Sequence, residues 1–325
     1  MKIRVPKYFT EFECIADKCR DSCCIGWEID VDDEAKAKYK ELNSELGREI
    51  TEKISHGYFP LAENGRCAFL DEAGLCRIIK SVGDGYLCDI CREHPRYYGV
   101  GDGVIEGGLG LGCEEAARII LSLRELPELV DIEREVRYFD EDEYADVSTY
   151  FREALYRAIF TKPMDELVRD YVYYGTLADD VAFEAASTGK KPLFLDVRCG
   201  NADAESAEDI YDCIFSAITE CEALTDEWEQ IVAKAKEIPC EDALRTLDKI
   251  RGILYYFTHR YVREGVEDMS LYPRIDFALG SALAIAAISE VIGGNDAKNS
   301  AAVAYSKNIE YSTDNVDFIL EAFTM

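Results

Sequence analysis

Thiols dominate the chemistry open to this chain. Cys14, Cys19, Cys23 and Cys24 fall within eleven residues, and the last two are adjacent. Cys67, Cys76, Cys88, Cys91 and Cys113 follow, so nine of the thirteen cysteines lie in the first 113 residues of the sequence. Thiols this dense imply a metal, a cluster or disulfides. Thirteen is odd, so they cannot all pair within one chain. The start, Met1 to Lys7, carries basic residues but no apolar run behind them, which is not the pattern of a secretory signal. A reducing, cytoplasmic setting is therefore expected, where cysteines more often bind metal or catalyse than form bridges.

Four thiolates at tetrahedral corners suit zinc or an iron–sulfur cluster. All nine N-terminal cysteines are candidate ligands. They could make two four-ligand sites with one thiol spare, or one site with several supporting thiols, and spacing leaves both open. Cys88-Asp89-Ile90-Cys91 is also the spacing of a thiol–disulfide redox pair. His94, three residues on, is a candidate ligand or a neighbour of one. His56 ends a helical stretch, where a cation is favoured, and His259 lies among aromatic residues and reads as structural. Cys213 and Cys221 fall on an apolar helix stripe, and Cys199 and Cys240 are isolated; these four read as core or loop residues. Val104 to Gly112 has the spaced glycines of a nucleotide-binding loop, but helical patterns follow where strand–helix units should. A loop that places Cys113 is the simpler expectation.

The elements around these residues divide in two. Residues 1–30 show no sustained period and read as irregular, closing on a short strand at Gly26 to Val31. From Asp32, the apolar positions Val31, Ala35, Tyr39, Leu42, Leu46, Ile50 and Ile54 predict one long helix ending at Gly57. Cys67 to Cys76 predicts a hairpin around Asp71 to Gly74. A helix is expected from Glu114 to Pro127, with two acidic residues in its first turn. Stripes at 144–159, 210–224 and 247–261 predict three more, and Pro163 opens another. The apolar run Phe277 to Ile292 reads as a buried helix rather than a membrane span, and an acidic loop is expected near Gly200 to Asp203.

The expected fold is mainly α. A cysteine-rich, metal- or cluster-binding N-terminal domain with short strands, residues 1–125, docks on a helical domain, residues 126–325. Nearly half the residues are apolar, enough for a substantial core. The formal charge of −29 argues against nucleic acid as a partner and suits a basic one, and solvation explains it equally well.

Cys14-x4-Cys19-x3-Cys23-Cys24-Ile25-Gly26-Trp27, then Cys67-x-Phe69-Leu70, Gly74-Leu75-Cys76 and Leu87-Cys88-x2-Cys91, form an ordered series. With Pro95-Arg96 and Cys113-x2-Ala116-Ala117-Arg118, the series resembles the flagellin lysine-N-methylase (FliB) family, which is related to the zinc- or iron-chelating cysteine-cluster proteins. The resemblance covers residues 8–121, with a weaker echo at Leu254 to Tyr261. It implies a protein-lysine N-methyltransferase acting on flagellin, with S-adenosylmethionine as donor and an iron–sulfur cluster of the four-iron (4Fe-4S) type on the N-terminal cysteines. Zinc is the alternative metal, and a non-enzymatic metal-chelating module the alternative function. Cys23 is followed directly by Cys24, which departs from the CxxxCxxC run of radical enzymes. Methylation needs a neutral amine, a cradle for the sulfonium and in-line geometry. Asp89 and Glu93, beside the CxxC, are the guesses for a base.

Overall fold

The computed structural model describes residues 1–20, 22–27, 29–54, 56–62, 65–101, 104–136, 145–188, 206–262 and 271–324. Cys199 and the acidic loop near Gly200 lie outside them. Helices dominate, as expected, and they sit behind one mixed sheet of four strands.

The first strand, Lys2–Pro6, lies in a stretch whose sequence showed no period. Five residues are too few to display one, yet Ile3 and Val5 are fully buried. Each such side chain contributes about 1.5–3 kcal/mol. This strand pairs in parallel with Val104–Leu109, which pairs antiparallel with Arg96–Gly101. On its other side it pairs antiparallel with Leu129–Glu133, from Lys2 opposite Glu133 to Pro6 opposite Leu129. The sheet therefore takes a strand from beyond residue 125.

The sheet and the helical body share one apolar core, which contains Ile3, Leu109, Ile120, Phe257 and Leu283. A second, separate core is built only from residues between 29 and 88, among them Val31, Tyr39, Ile50, Phe59 and Phe69. It belongs to the segment between the first strand and Arg96–Gly101.

In that segment the single long helix is replaced by two, Asp33–Glu41 and Glu45–Lys53. Asp32 caps the first through Ala35 N–H, and Ser44 caps the second through Gly47 N–H. The apolar period runs on across the corner, so periodicity alone could not reveal the break; the cap at Ser44 makes it. Gly47 is required there, because a Cβ would stand 2.3 Å from the Leu42 carbonyl oxygen. The expected short strand is Ile29–Asp30, paired with Tyr58–Phe59. The hairpin is reduced to one bridge, Leu70 with Cys76, over a turn closed by Gly74 N–H on the Asp71 carbonyl.

In the body, the long apolar helix Leu271–Ile292 is central and packs on Met164–Thr188, Cys240–Leu247, Gly252–Tyr261 and Ala207–Glu220. By length and composition it could cross a membrane, but 83% of its most apolar window is buried within the fold. The helix expected from Glu114 ends at Leu121, well before Pro127. The stripe at 247–261 is divided between Cys240–Leu247 and Gly252–Tyr261. At the second helix start, a Cβ on Gly252 would lie 1.9 Å from the Ile120 carbonyl oxygen. Gly252→Ala is therefore expected to cost about 1–3 kcal/mol through forced separation of two packed helices. A urea midpoint equal to that of the unaltered protein would contradict this close approach.

Candidate functional site

Nine thiols converge where the small core meets the body. A cleft of about 480 Å³ is lined by every N-terminal cysteine except Cys67 and Cys88, together with His94, Pro95 and Trp27. Cys67 and Cys88 are buried just behind it.

Four devices bring the thiols there. Arg20 donates its backbone N–H and Nε–H to the two carboxylate oxygens of Glu114, at 2.7 and 2.9 Å. That fork ties the loop bearing Cys14 and Cys19 to the helix start bearing Cys113. The Cys67 N–H donates to the Cys24 carbonyl at 2.8 Å, which fixes the vicinal pair against the small core. The Leu70–Cys76 bridge turns Cys76 back toward Cys67. Cys88 and Cys91 stand one turn apart at the start of the helix Asp89–Glu93, whose first N–H is held by Asp32 at 2.8 Å.

The body closes the cleft with residues that sequence reading missed. Lys307 Nζ donates to the Ser22 carbonyl at 3.1 Å. Trp27 Nε1 donates to the Cys23 carbonyl at 2.9 Å, and its ring lies 5.0 Å from that of Tyr311. Gly112 makes room for this contact, since a Cβ there would meet the Tyr311 hydroxyl at 2.1 Å. Gly108 does the same for Tyr97, at 2.3 Å. The glycine-rich run is thus a strand, Val104–Leu109, and a turn that seats two tyrosines and delivers Cys113. Among the described residues, the strand after its helix, Leu129–Glu133, joins the sheet antiparallel to Lys2–Pro6, not as the parallel strand that a nucleotide fold would add.

The thiol electrostatics follow from crowding. Burial pushes Cys19 up to about 12, and Cys113, Glu114, Cys14 and Cys23 add to the rise. Burial also lifts Cys113 to about 11, with Cys23 and Cys14 contributing. Cys23 is raised by its hydrogen bond with Cys24, 3.8 Å away, and then by burial, while Lys307 opposes both. In the Cys88–Cys91 pair the shared hydrogen bond lowers Cys88 and raises Cys91, and Cys24 and Cys76 raise Cys91 further. Several thiolates close together in a low-dielectric cleft need a cation to stabilise them. The donor set, all sulfur, fits zinc or an iron–sulfur cluster. Among the described residues, no three His, Cys, Asp or Glu side chains are already gathered as a metal-coordinating group.

Trp27 and His94 also line a second cavity, of about 530 Å³, which adds Tyr97, Tyr98, Arg96 and Arg134. His94 is not free to act as a strong base. Burial, then Lys307 and Arg96, push it down to about 4, and its Nε2 has no hydrogen-bond partner among the described residues. Burial works against the Glu93 carboxylate, but hydrogen bonds from Arg134 at 2.8 Å and Tyr98 at 2.9 Å outweigh it and hold it below the usual range. Asp89 is buried and paired with Arg92. Both carboxylates are engaged in ion pairs.

The remaining candidates lie elsewhere. His259 is buried, 2.8 Å from the Tyr156 hydroxyl and 3.2 Å from the Gly107 carbonyl, a structural position. His56 adopts a positive φ of 55° in the turn after the second helix and stacks on Tyr58. Cys213, Cys221 and Cys240 pack in the body against the carbonyls of Ala322, Asn315 and Ala207.

A mainly helical protein with a thiol-lined cleft between two cores is the class that fold and site define. Within that class, the chain is 32% identical over 127 residues to the protein named lysine-N-methylase of Salmonella typhimurium, and equally to that of Salmonella choleraesuis. These matches take in 36% of the chain and 32% of each relative, so the chain spans about a third of the length of those relatives. It is likewise 32% identical over 127 residues to the flagellar biosynthetic protein FliU of Salmonella muenchen, of which it covers 75%. The chain belongs to the flagellin lysine methylase family. No protein-family model matches it, and no solved structure does.

Proposed function

We propose that this protein is a protein-lysine N-methyltransferase that acts on flagellin in the cytoplasm. S-adenosylmethionine is the proposed donor, and the N-terminal cysteines the holders of a four-iron iron–sulfur cluster. The observation that carries the reading is the family membership, and the shared cleft of seven thiols supports it. A cluster on these thiols supplies a redox-active, Lewis-acidic centre.

The second cavity shares a wall with the cleft and has the lining the reaction asks for. Trp27, Tyr97 and Tyr98 offer aromatic faces to a sulfonium or an ammonium. Arg96 and Arg134 offer guanidinium groups to the donor's carboxylate. Arg96 is the freer of the two for that task. It stacks over Phe9 and Phe12 at 5.5 and 5.4 Å, and its Nε has no hydrogen-bond partner among the described residues. Enclosure of the lysine there favours its neutral form. The amine lone pair then attacks the methyl carbon, a C–N bond forms and the S–C bond breaks. The electron pair stays on sulfur as a thioether, and the amine proton leaves to solvent or a neighbouring base.

Anaerobically purified protein, incubated with flagellin and S-adenosylmethionine, is expected to add mass in steps of about 14 daltons per methyl group on lysines. No mass step with the metal centre intact would remove this function. Iron with equal sulfide in the same sample supports the cluster, and stoichiometric zinc replaces it with the alternative metal.

A further inference from the structure

The two cores divide the thiols between them. Cys67 and Cys88 are buried members of the small core, and Cys24, Cys76 and Cys91 pack against it. Cys113 is instead a buried member of the main core, at the N-terminus of the helix Glu114–Leu121. Cys19 is carried to Cys113 by the Arg20–Glu114 fork, and Cys14 lines the same cleft. Cys23 faces that side as well. Trp27 donates to the Cys23 carbonyl and packs on Tyr311, the ring that Gly112 seats beside Cys113, and Lys307 of the body donates to the Ser22 carbonyl next to Cys23.

We infer that the nine cysteines form two metal centres rather than one, the first held by Cys14, Cys19, Cys23 and Cys113 and the second by Cys24, Cys76, Cys88 and Cys91. The adjacent pair Cys23-Cys24 is the divide, with one thiol for each centre and 3.8 Å between the sulfurs. Each set has the four sulfurs that zinc or a cubane cluster requires. Cys67 is the ninth thiol and is not a ligand: Cys88 shares a hydrogen bond with Cys91, whereas Cys67 serves through its backbone, its N–H holding the Cys24 carbonyl. The first centre pins the N-terminal loop to the helical body, whereas the second staples the small core internally. This inference deepens the metal reading proposed above but does not depend on methyl transfer.

The test is metal and acid-labile sulfide analysis of the anaerobically purified full chain, joined with spectra of three variants. The unaltered protein is expected to carry two centres per chain. Cys113→Ser and Cys88→Ser are each expected to lose about half of the metal, and to lose different spectral components. Cys67→Ala is expected to keep all of it. Should Cys88→Ser fail to fold, the count on the unaltered protein still decides between two centres and one. One centre per chain, or loss of all metal in Cys113→Ser while the helical circular dichroism persists, overturns the inference. Metal loss in folded Cys67→Ala does so too. Because metal is counted without flagellin, absence of methylation leaves this result standing. Conversely, a single centre in an active enzyme removes the partition alone.

Discussion

Stripping metal from the anaerobic, reduced protein is expected to unfold residues 29–91 while the helical body stays folded. Among the described residues, the small core has ten buried side chains. They serve a segment whose regular structure is a few short helices and a two-residue strand pair. A core of that size scarcely offsets the chain entropy of about sixty residues. Thiolate–metal bonds make up the difference, and in small zinc modules they contribute about 10–16 kcal/mol. Amide exchange protection over 29–91 should therefore fall by at least about a hundredfold on chelation. The body, with a continuous core around Leu271–Ile292, should keep its protection. Equal protection of 29–91 before and after complete metal removal would contradict a structural role for the thiols.

Glu310→Ala is expected to cost about 3–5 kcal/mol, the range for breaking one partner of a buried ion pair. Glu310 is buried, accepts hydrogen bonds from the hydroxyls of Tyr256 at 2.6 Å and Tyr261 at 2.8 Å, and pairs with Arg260 at 3.2 Å. Arg260 in turn lies over the rings of Tyr97 and Tyr261, at 4.7 and 5.3 Å. Removing the carboxylate leaves a guanidinium and two phenols without their common acceptor. Arg260→Met in the same background should recover part of the loss, because the uncompensated charge goes with it. The measurement is a double-mutant cycle by urea denaturation. A single Glu310→Ala change that costs less than about 1 kcal/mol would show that the network is not a stabilising unit. Tyr311 follows directly and packs on Trp27, so the same variants are expected to loosen the wall of the thiol cleft.

How far the site could be read in advance depended on the range of the forces involved. The nine cysteines stand out because thiols at such density have few uses, and their order carries the family. Caps and turns were also local enough to read. Asp32 starts a helix, Asp71 to Gly74 turns the chain, and Cys113 lies at a helix start because acidic residues follow it. The strand Lys2–Pro6 was not legible, because its partners are a hundred or more residues away and its length is below one visible period. The break at Ser44 was hidden for the opposite reason, since the apolar face continues through it.

The sequence by itself determined which groups are present for chemistry: thiols in excess, few histidines and a strongly acidic composition, all properties of side chains and not of their arrangement. Only the tertiary structure decided which thiols stand together. That depended on the Arg20–Glu114 fork, on the Cys67–Cys24 backbone bond and on two separate apolar cores, each a contact between residues distant in the chain. It also brought Lys307 and Tyr311, from the last twenty residues, to the edge of a cleft built by the first hundred and fourteen. Burial and hydrogen bonding act over a few ångströms whatever the sequence separation, so spacing along the chain could list the thiols but not group them.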